Sequence, residues 1–303
     1  MLKTSLAILA IALGAQTARA ETFVLVTHAT GTEGFVQILE KAARDAGDAV
    51  GAQIETFTNP SGDLADMART IQAVTAKGPD GLIVTLPDAS VLGRALRAAT
   101  SSGIPVITIN SGIDFYEDVG AITHVGQDEY LAGFGAGERA KEEGATNTLC
   151  LNPDRGNNAF SERCRGFFDA IGAEGTELET SYDLVQIRAR TAAALRADPE
   201  IDSILAPAPT LCTTAAMAVK DISVDVHLAC FDLSDGIAAG IKSGEIDFTV
   251  DQQLRLQGYL PVIYLDLYNT GSGLVPSAPT LTGPAFVDAS NVEGVKALAG
   301  VDR

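Results

Sequence analysis

The sequence places polar side chains directly after several strand-like runs, where they could hydrogen-bond to a small ligand. The segment FTVDQQ, residues 248–253, ends an apolar run in Asp251, Gln252 and Gln253. Buried carboxylates and carboxamides destabilise a protein unless they are hydrogen-bonded, so these groups either meet water at a turn or await a polar ligand. Comparable groups follow other runs, namely His28 and Thr30, Asp88, Asn110 and Ser111, Asn157 and Asn158, and Asp232.

These residue types suit a neutral molecule rich in hydroxyl groups. A carboxylate accepts hydrogen bonds from two neighbouring hydroxyls, while an amide both donates and accepts. Ligands of open parallel-sheet proteins bind beyond the carboxyl ends of the strands, where these side chains are expected. Plainer interpretations stand beside this one: Asp88 could cap the next helix, Asn157 and Asn158 could shape a turn, and His28 could be structural.

Strand-like and helix-like segments alternate along most of the chain. The runs TFVLVTH, DGLIVTLP and GIPVITIN are rich in Val, Ile and Leu, which is typical of strands buried on both faces. Residues 34–50 and 64–77 carry apolar side chains at helical spacing. The same rhythm repeats from NTLCLNP to DFTVDQQ. Two such sets predict an α/β fold of two doubly wound, parallel-sheet (Rossmann-like) domains.

The first twenty residues have the pattern of a secretory signal peptide. Lys3 precedes an apolar run, and Ala18-Arg19-Ala20 is a small-residue cleavage site. We therefore expect cleavage after Ala20 and a periplasmic protein. The formal net charge is −18, and it becomes −20 without Lys3 and Arg19. Such a charge disfavours nucleic acid and anionic lipid as partners.

Cysteine spacing and missing motifs narrow the function further. Cys150 and Cys164 flank one short loop and are expected to form a disulfide bond, whereas Cys212 and Cys230 could pair or stay as thiols. The sequence lacks a dinucleotide fingerprint after its first strand, a P-loop, a GxSxG elbow and HExxH. We expect no cofactor, no metal and no catalysis, with a two-carboxylate carbohydrate enzyme as the alternative.

Five segments occur in one order along the chain: GIPVITINSG, THVGQDEYLAGFGAGERA, GNNAFSERCRGF, FDLSDGIAAGIKSGEI and FTVDQQLRLQGYLPV. Together they resemble the type I periplasmic sugar-binding proteins, the ribose-binding-like receptors of ABC importers. The resemblance implies two domains joined by a multi-strand hinge, residues 21–127 with 253–280 and residues 128–252 with 281–303. It also implies a monosaccharide or related polyol as ligand, a membrane permease as partner and a monomer. The alternative ligand is a nucleoside, an inositol derivative or a furanose-like signal.

The resemblance also implies roles for single residues. Gln252 matches the hinge amide that touches the sugar, and Asp232 is similar to the acid that accepts from sugar hydroxyls. Phe35 matches an aromatic residue that packs on a sugar face. Arg163 matches an arginine of the helix motif.

Two departures from the family pattern bear on the choice of ligand. Ribose receptors have Asp followed by Arg where this chain has Asn110 and Ser111. Close relatives often have Trp after the aromatic at Phe35, whereas this chain has Val36 and contains no Trp. The first departure counts against ribose, and the second counts against a flat pyranose unless Phe115, Tyr116 or Phe160 takes the place of the missing Trp.

Overall fold

The computed structural model describes residues 19–29, 34–172 and 175–303. Thr30 and residues 1–18 of the predicted signal peptide lie outside the described residues. Strands and helices alternate through most of this chain, as the sequence predicts. Their bounds are β1 (Thr22–Val26), α1 (Gly34–Val50), β2 (Gln53–Phe57), α2 (Leu64–Lys77), β3 (Gly81–Thr85), α3 (Ala89–Ser101), β4 (Val106–Asn110), β5 (Thr123–Gly126), α4 (Glu129–Glu142), β6 (Thr148–Asn152), α5 (Asn158–Ile171), β7 (Thr176–Glu179), α6 (Leu184–Ala197), β8 (Ser203–Ala206), α7 (Pro209–Ile222), β9 (His227–Phe231), α8 (Asp235–Ser243), β10 (Phe248–Asp251), α9 (Leu254–Thr270), β11 (Thr280–Leu281), β12 (Ala285–Asp288) and α10 (Val292–Val295).

The strands form two six-stranded sheets. The first has the order β11-β5-β4-β3-β1-β2 and is parallel throughout. The second has the order β12-β10-β9-β8-β6-β7, in which β12 runs antiparallel to β10 and the other pairs are parallel. We call the halves built on them the N-domain and the C-domain. This arrangement confirms the predicted fold class of two doubly wound α/β domains.

Helices cover both faces of each sheet, which explains why the inner strands read as continuous apolar runs. Every residue of β3 and β4 is buried. In the N-domain, α1 and α9 pack on one face of the sheet and α2 and α3 on the other. In the C-domain, α4 and α5 cover one face, and α6, α7 and α8 cover the other. None of the helices among the described residues combines the length and apolar character needed to cross a membrane.

Three short segments connect the two sheets. Residues 127–128 lead from β5 to α4, residues 252–253 lead from β10 to α9, and residues 282–284 lead from β11 to β12. The chain therefore passes between the domains three times, and the third passage begins after Leu281, which pairs with β5 in the N-domain sheet. The domain limits given above stay a prediction; sheet membership places Leu281, the first residue of the predicted segment 281–303, in the N-domain sheet.

Two disulfide bonds lie in the C-domain. Cys150 of β6 is bonded to Cys164 of α5, and Cys212 of α7 is bonded to Cys230 of β9. The Cα atoms are 5.6 Å apart in both pairs, within the usual range for a disulfide. The two bonds belong to the packing layers on opposite faces of the sheet. Each one therefore ties a helix to the strand beneath it.

Candidate functional site

The ends of β4 and β9 carry two polar residues in an unusual backbone conformation. Asn110 has φ 64° and Asp232 has φ 63°, both in the left-handed region. Asn and Asp tolerate this region better than most residues, although it still carries a cost in backbone energy. Non-glycine residues held in this way are concentrated at ligand sites, because the surrounding structure has to impose the conformation.

Gln252 joins these two strand ends through its side-chain amide. Its Oε1 accepts from Nδ2 of Asn110 at 2.9 Å, and its Nε2 donates to Oδ1 of Asp232 at 2.6 Å. Asn110 belongs to the N-domain, Asp232 to the C-domain, and Gln252 lies on the segment that connects them. Three residues predicted from the sequence are thus brought into one hydrogen-bonded chain across the domain boundary.

A fourth residue, Gln257 of α9, completes this cluster and was not singled out from the sequence. It is fully buried, and its Nε2 donates to Oε1 of Gln252 at 3.1 Å and to Oγ1 of Thr282 at 3.0 Å. Its Oε1 accepts from Nδ2 of Asn110 at 3.3 Å. The signal was available, because Gln257 shares the buried face of α9 with apolar residues at helical spacing.

The electrostatic environment of Asp232 is that of a carboxyl group withdrawn from water. Burial raises the pKa of Asp232 to about 6, against the opposing influence of the positive charge of Arg163 and the hydrogen bond from Gln252. Asp232 is therefore mostly ionised at neutral pH, where it can only accept hydrogen bonds. Burial also raises the pKa of the neighbouring Asp251, whose Oδ2 lies 2.7 Å from Nε of Arg303.

Arg163 of α5 is held by an acidic partner on the preceding helix, α4. Its Nε and Nη2 donate to the two carboxylate oxygens of Glu129 at 2.6 and 3.0 Å, and both side chains are buried. Its Nη1 donates to the carbonyl oxygen of Pro207, and its guanidinium lies 4.3 Å from the ring centroid of Phe231. The pair is possible because α4 and α5 approach closely: a Cβ added at Gly133 would lie 2.1 Å from the carbonyl oxygen of Arg163.

The N-domain side of the cleft contains an aromatic pair. The rings of His28 and Phe35 lie 5.6 Å apart, and Nδ1 of His28 is 3.0 Å from Oγ1 of Thr85. Burial lowers the pKa of His28 to about 4, so the imidazole is neutral at pH 7. The Thr85 hydroxyl accepts from the backbone N–H of His28 and can donate its own hydrogen to Nδ1. That arrangement leaves Nε2 as the ring donor.

Two predicted contact residues act as helix caps. Oδ1 of Asp88 accepts from the backbone N–H groups of Ser90 and Val91 at the start of α3. The side chain of Asn157 accepts from the backbone N–H of Ala159 at the start of α5. These are the plainer roles considered for both residues, and a ligand contact by either one stays a prediction.

The two domains touch at the mouth of the cleft. The backbone N–H of Asn158 in the C-domain donates to the carbonyl oxygen of Pro87 in the N-domain at 3.3 Å. A cavity of about 20 Å³ beside this contact is lined from both domains, including Gly112 and Glu162. A space of that size holds about one water molecule. Ser111 is buried nearby in the chain, and its Oγ has no partner among the described residues.

A second group of polar side chains lies at the far end of the C-domain sheet. Glu143, His227 and Asp247 each offer one atom that could bind a metal ion, and these atoms lie within 4.8 Å of one another. His227 begins β9 and Asp247 precedes β10, whereas Asp232 and Gln252 follow those same strands. This group is therefore separate from the interdomain cluster.

The comparisons with known proteins agree with this architecture. A family model described as periplasmic binding protein domain matches residues 23–271, so the chain belongs to the periplasmic binding protein family. This is the family whose resemblance the sequence segments indicated.

Individual relatives show where within this family the similarity lies. A carbohydrate transporter from Acidothermus cellulolyticus 11B, solved in complex with myo-inositol, is 33% identical with a TM-score of 0.88, covering 93% of this chain and 99% of that one. The ribose import binding protein of Haemophilus influenzae is 24% identical over 91% of this chain and 95% of that protein. A glucose-galactose binding protein from Geobacillus stearothermophilus, with a TM-score of 0.80 and 21% identity over 90% of this chain and 99% of that one, shows the same fold.

Proposed function

We propose that this protein is an exported receptor that binds one small, uncharged, hydroxyl-rich molecule between its domains. The ligand class is a monosaccharide or a cyclic polyol such as an inositol, and the receptor delivers it to the membrane permease of an ABC importer. The observation that carries the proposal is the chain from Asn110 through Gln252 to Asp232. It puts donors and acceptors of both domains at one point, where a ligand can hold the domains together.

The charges of the cleft support a neutral ligand. The guanidinium of Arg163 is already paired with the carboxylate of Glu129, so it does not call for an anionic group on the ligand. His28 is neutral at pH 7, and Asp232 supplies an acceptor for hydroxyl groups. Phe35 beside His28 offers an apolar ring face for the carbon skeleton of a sugar or cyclitol.

The named relatives support the same class. The Acidothermus cellulolyticus relative was solved with myo-inositol, and the Haemophilus influenzae relative is named for ribose import. The absence of the Asp-Arg pair expected for ribose at Asn110 and Ser111 favours a cyclic polyol or another sugar over ribose itself. We expect a dissociation constant near micromolar, which corresponds to about −8 kcal/mol.

A thermal-shift screen tests the ligand class. The protein is heated with myo-inositol, D-ribose, D-arabinose, D-xylose or D-galactose, with nucleosides and amino acids as the comparison set. A ligand at a hundred times its dissociation constant stabilises the folded state by about 2.7 kcal/mol, which is a readily measured shift in melting temperature. Stabilisation by nucleosides or amino acids alone would contradict the proposal, and so would no stabilisation by any compound.

Export, the absence of turnover and the monomeric state belong to the same proposal. Mass spectrometry of protein recovered from the periplasm should give a chain beginning at Glu21. Incubation with the bound compound should return it unchanged, since a receptor releases its ligand without reaction. Light scattering should give the mass of one chain, and added DNA should not alter it. A chemically altered ligand would favour the carbohydrate-acting enzyme instead.

A further inference from the structure

The buried side-chain amide of Gln257 makes hydrogen bonds to several polar groups. Besides the bonds to Asn110, Gln252 and Thr282, its Nε2 lies 3.2 Å from the backbone carbonyl oxygen of Gln252. Gln257 is fully buried on α9, among Leu254, Val262 and other apolar residues. A buried carboxamide is retained at little energetic cost only where its polar atoms are satisfied, as they are here.

The orientation of Gln252 follows from the chemistry of its partners. An ionised carboxylate only accepts hydrogen bonds, so the NH₂ group of Gln252 has to face Asp232. Its Oε1 then faces the opposite way, toward Asn110 and Gln257. Both of these residues present NH₂ groups to it. The three amides and the carboxylate therefore form one directional chain, in which turning any member puts two acceptors against each other.

Gln257 and its partners lie in the N-domain or on the connecting segments, so we expect them to stay together when the domains separate. Asn110 ends a strand of the N-domain sheet, while Gln252 and Thr282 lie on two of the three connecting segments. Asp232, on the other side, belongs to the C-domain and moves away when the cleft opens. Gln257 can thus hold the Gln252 amide in its binding orientation in the open molecule, before a ligand or Asp232 reaches it.

We propose that Gln257 is a positioning residue that presets the Gln252 carboxamide, so that its NH₂ group already faces the C-domain when the cleft closes on a ligand. This inference rests on the proposed function. Presetting one orientation reduces the ordering that binding would otherwise require, and a misdirected amide would meet Asp232 with an oxygen. Gln257 acts through Gln252 and need not touch the ligand.

Gln257→Glu tests this directional role, because a carboxylate cannot donate to Oε1 of Gln252. The Gln252 amide should turn over and direct its oxygen at Asp232. At pH 8, where Asp232 is ionised, affinity measured by calorimetry should fall at least tenfold. The probe is whichever of myo-inositol, D-ribose, D-arabinose, D-xylose and D-galactose binds wild-type protein most tightly. Gln72→Glu, which makes the same change on the exposed face of α2, is the control and should bind like wild type.

Repeating the Gln257→Glu change in protein that also carries Asp232→Asn distinguishes a positioning role from a purely structural one. With Asp232→Asn, the residue at the C-domain end can donate as well as accept, so a turned Gln252 amide regains a partner. Gln257→Glu should then cost less than threefold relative to Asp232→Asn alone. An equal loss in both backgrounds, or no loss in either, overturns the inference.

Two further measurements keep the test decisive. If Gln257→Glu does not fold, Gln257→Met keeps the volume without polar groups and should weaken binding by about threefold through loss of orientation. Unchanged affinity of that variant also overturns the inference. Wild-type protein that binds none of the five sugars and polyols of the thermal-shift screen contradicts the proposed function itself, so the two failures are distinguishable.

Discussion

The side-chain Nε2 of Gln252 lies 2.6 Å from Oδ1 of Asp232, and this hydrogen bond joins a connecting segment to the far domain. The same amide accepts from Asn110 of the near domain. The Gln252 side chain therefore contacts both domains. Its removal should weaken ligand binding and destabilise the closed form.

Replacing Gln252 by Leu should weaken ligand binding by roughly 1–3 kcal/mol, about fivefold to 150-fold, because Leu can neither donate nor accept. Gln252 is only 2% exposed, so the change should also lower the urea midpoint, a cost that the sequence alone did not predict. Calorimetry on the folded variant measures the first effect. Gln72→Leu on the exposed face of α2 is the control. A lower midpoint with unchanged affinity would make Gln252 a structural residue only.

The pKa of Asp232 predicts a distinctive pH dependence of stability. Its pKa is raised to about 6, so the folded protein keeps this proton at pH values where the unfolded chain, with a pKa near 3.8, has released it. The contribution of this carboxyl to stability is therefore largest at low pH and falls as pH rises from about 4 to about 6. Asp232→Asn has no such group.

Urea melts of wild type and Asp232→Asn at pH 4, 5, 6, 7 and 8 measure this effect. The difference in unfolding free energy, wild type minus variant, should decrease through the acidic range and become constant above pH 7. Other groups, such as the neutral His28, titrate equally in both proteins and cancel in the difference. Parallel curves over the whole range would show that Asp232 titrates normally.

Breaking the buried ion pair of Glu129 and Arg163 should be costly. Glu129→Ala leaves the guanidinium buried without its counter-charge, which typically destabilises a protein by about 3–5 kcal/mol. Urea denaturation gives the value. The exposed pair of Lys220 and Glu245 supplies the control, because Glu245→Ala at the surface should change the midpoint little. Similar effects at the two sites would mean that the buried pair adds no more than a surface pair.

The disulfide bonds give a prediction about covalent structure and stability. Digested, unreduced protein should contain peptides linking Cys150 to Cys164 and Cys212 to Cys230. Replacing the first pair by Ala should cost about 3 kcal/mol, because the bond closes a loop of about 15 residues in the unfolded chain. The second pair should cost slightly more, since its sequence separation is 18 rather than 14. Free thiols or crossed linkages in exported protein would contradict the pairing.

Most of the fold was predictable because most strands and helices have a local sequence pattern. The periodicity of residues 34–50 and 64–77 gave the bounds of α1 and α2 as the structure has them. The apolar runs predicted the strands. The runs TFVLVTH and DGLIVTLP extend to His28 and Pro87, however, whereas β1 and β3 end at Val26 and Thr85. Continuous Val, Ile and Leu indicate burial on both faces, and this property selects the parallel α/β class.

Candidate residues of the site could be named from the sequence, but the hydrogen bonds between them could not be predicted. Asn110, Asp232 and Gln252 were named from their places at strand ends, yet their hydrogen bonds join residues 142 and 20 positions apart, which no periodic pattern encodes. The partnership of Arg163 with Glu129 depends on the close packing of two helices. Thr282 drew no attention because it follows a strand of two residues, too short to read from sequence.

All four cysteines of the chain stand between residues 150 and 230, so cross-linking is confined to one half of the molecule. Cys164 adjoins Arg163, and Cys230 lies two residues before Asp232. The N-domain contains no cysteine, whereas the two C-domain disulfide bonds form only under oxidising conditions. Protein produced in a reducing cytoplasm should therefore lack the two C-domain disulfide bonds. Its free thiols should be counted before it is used in binding assays.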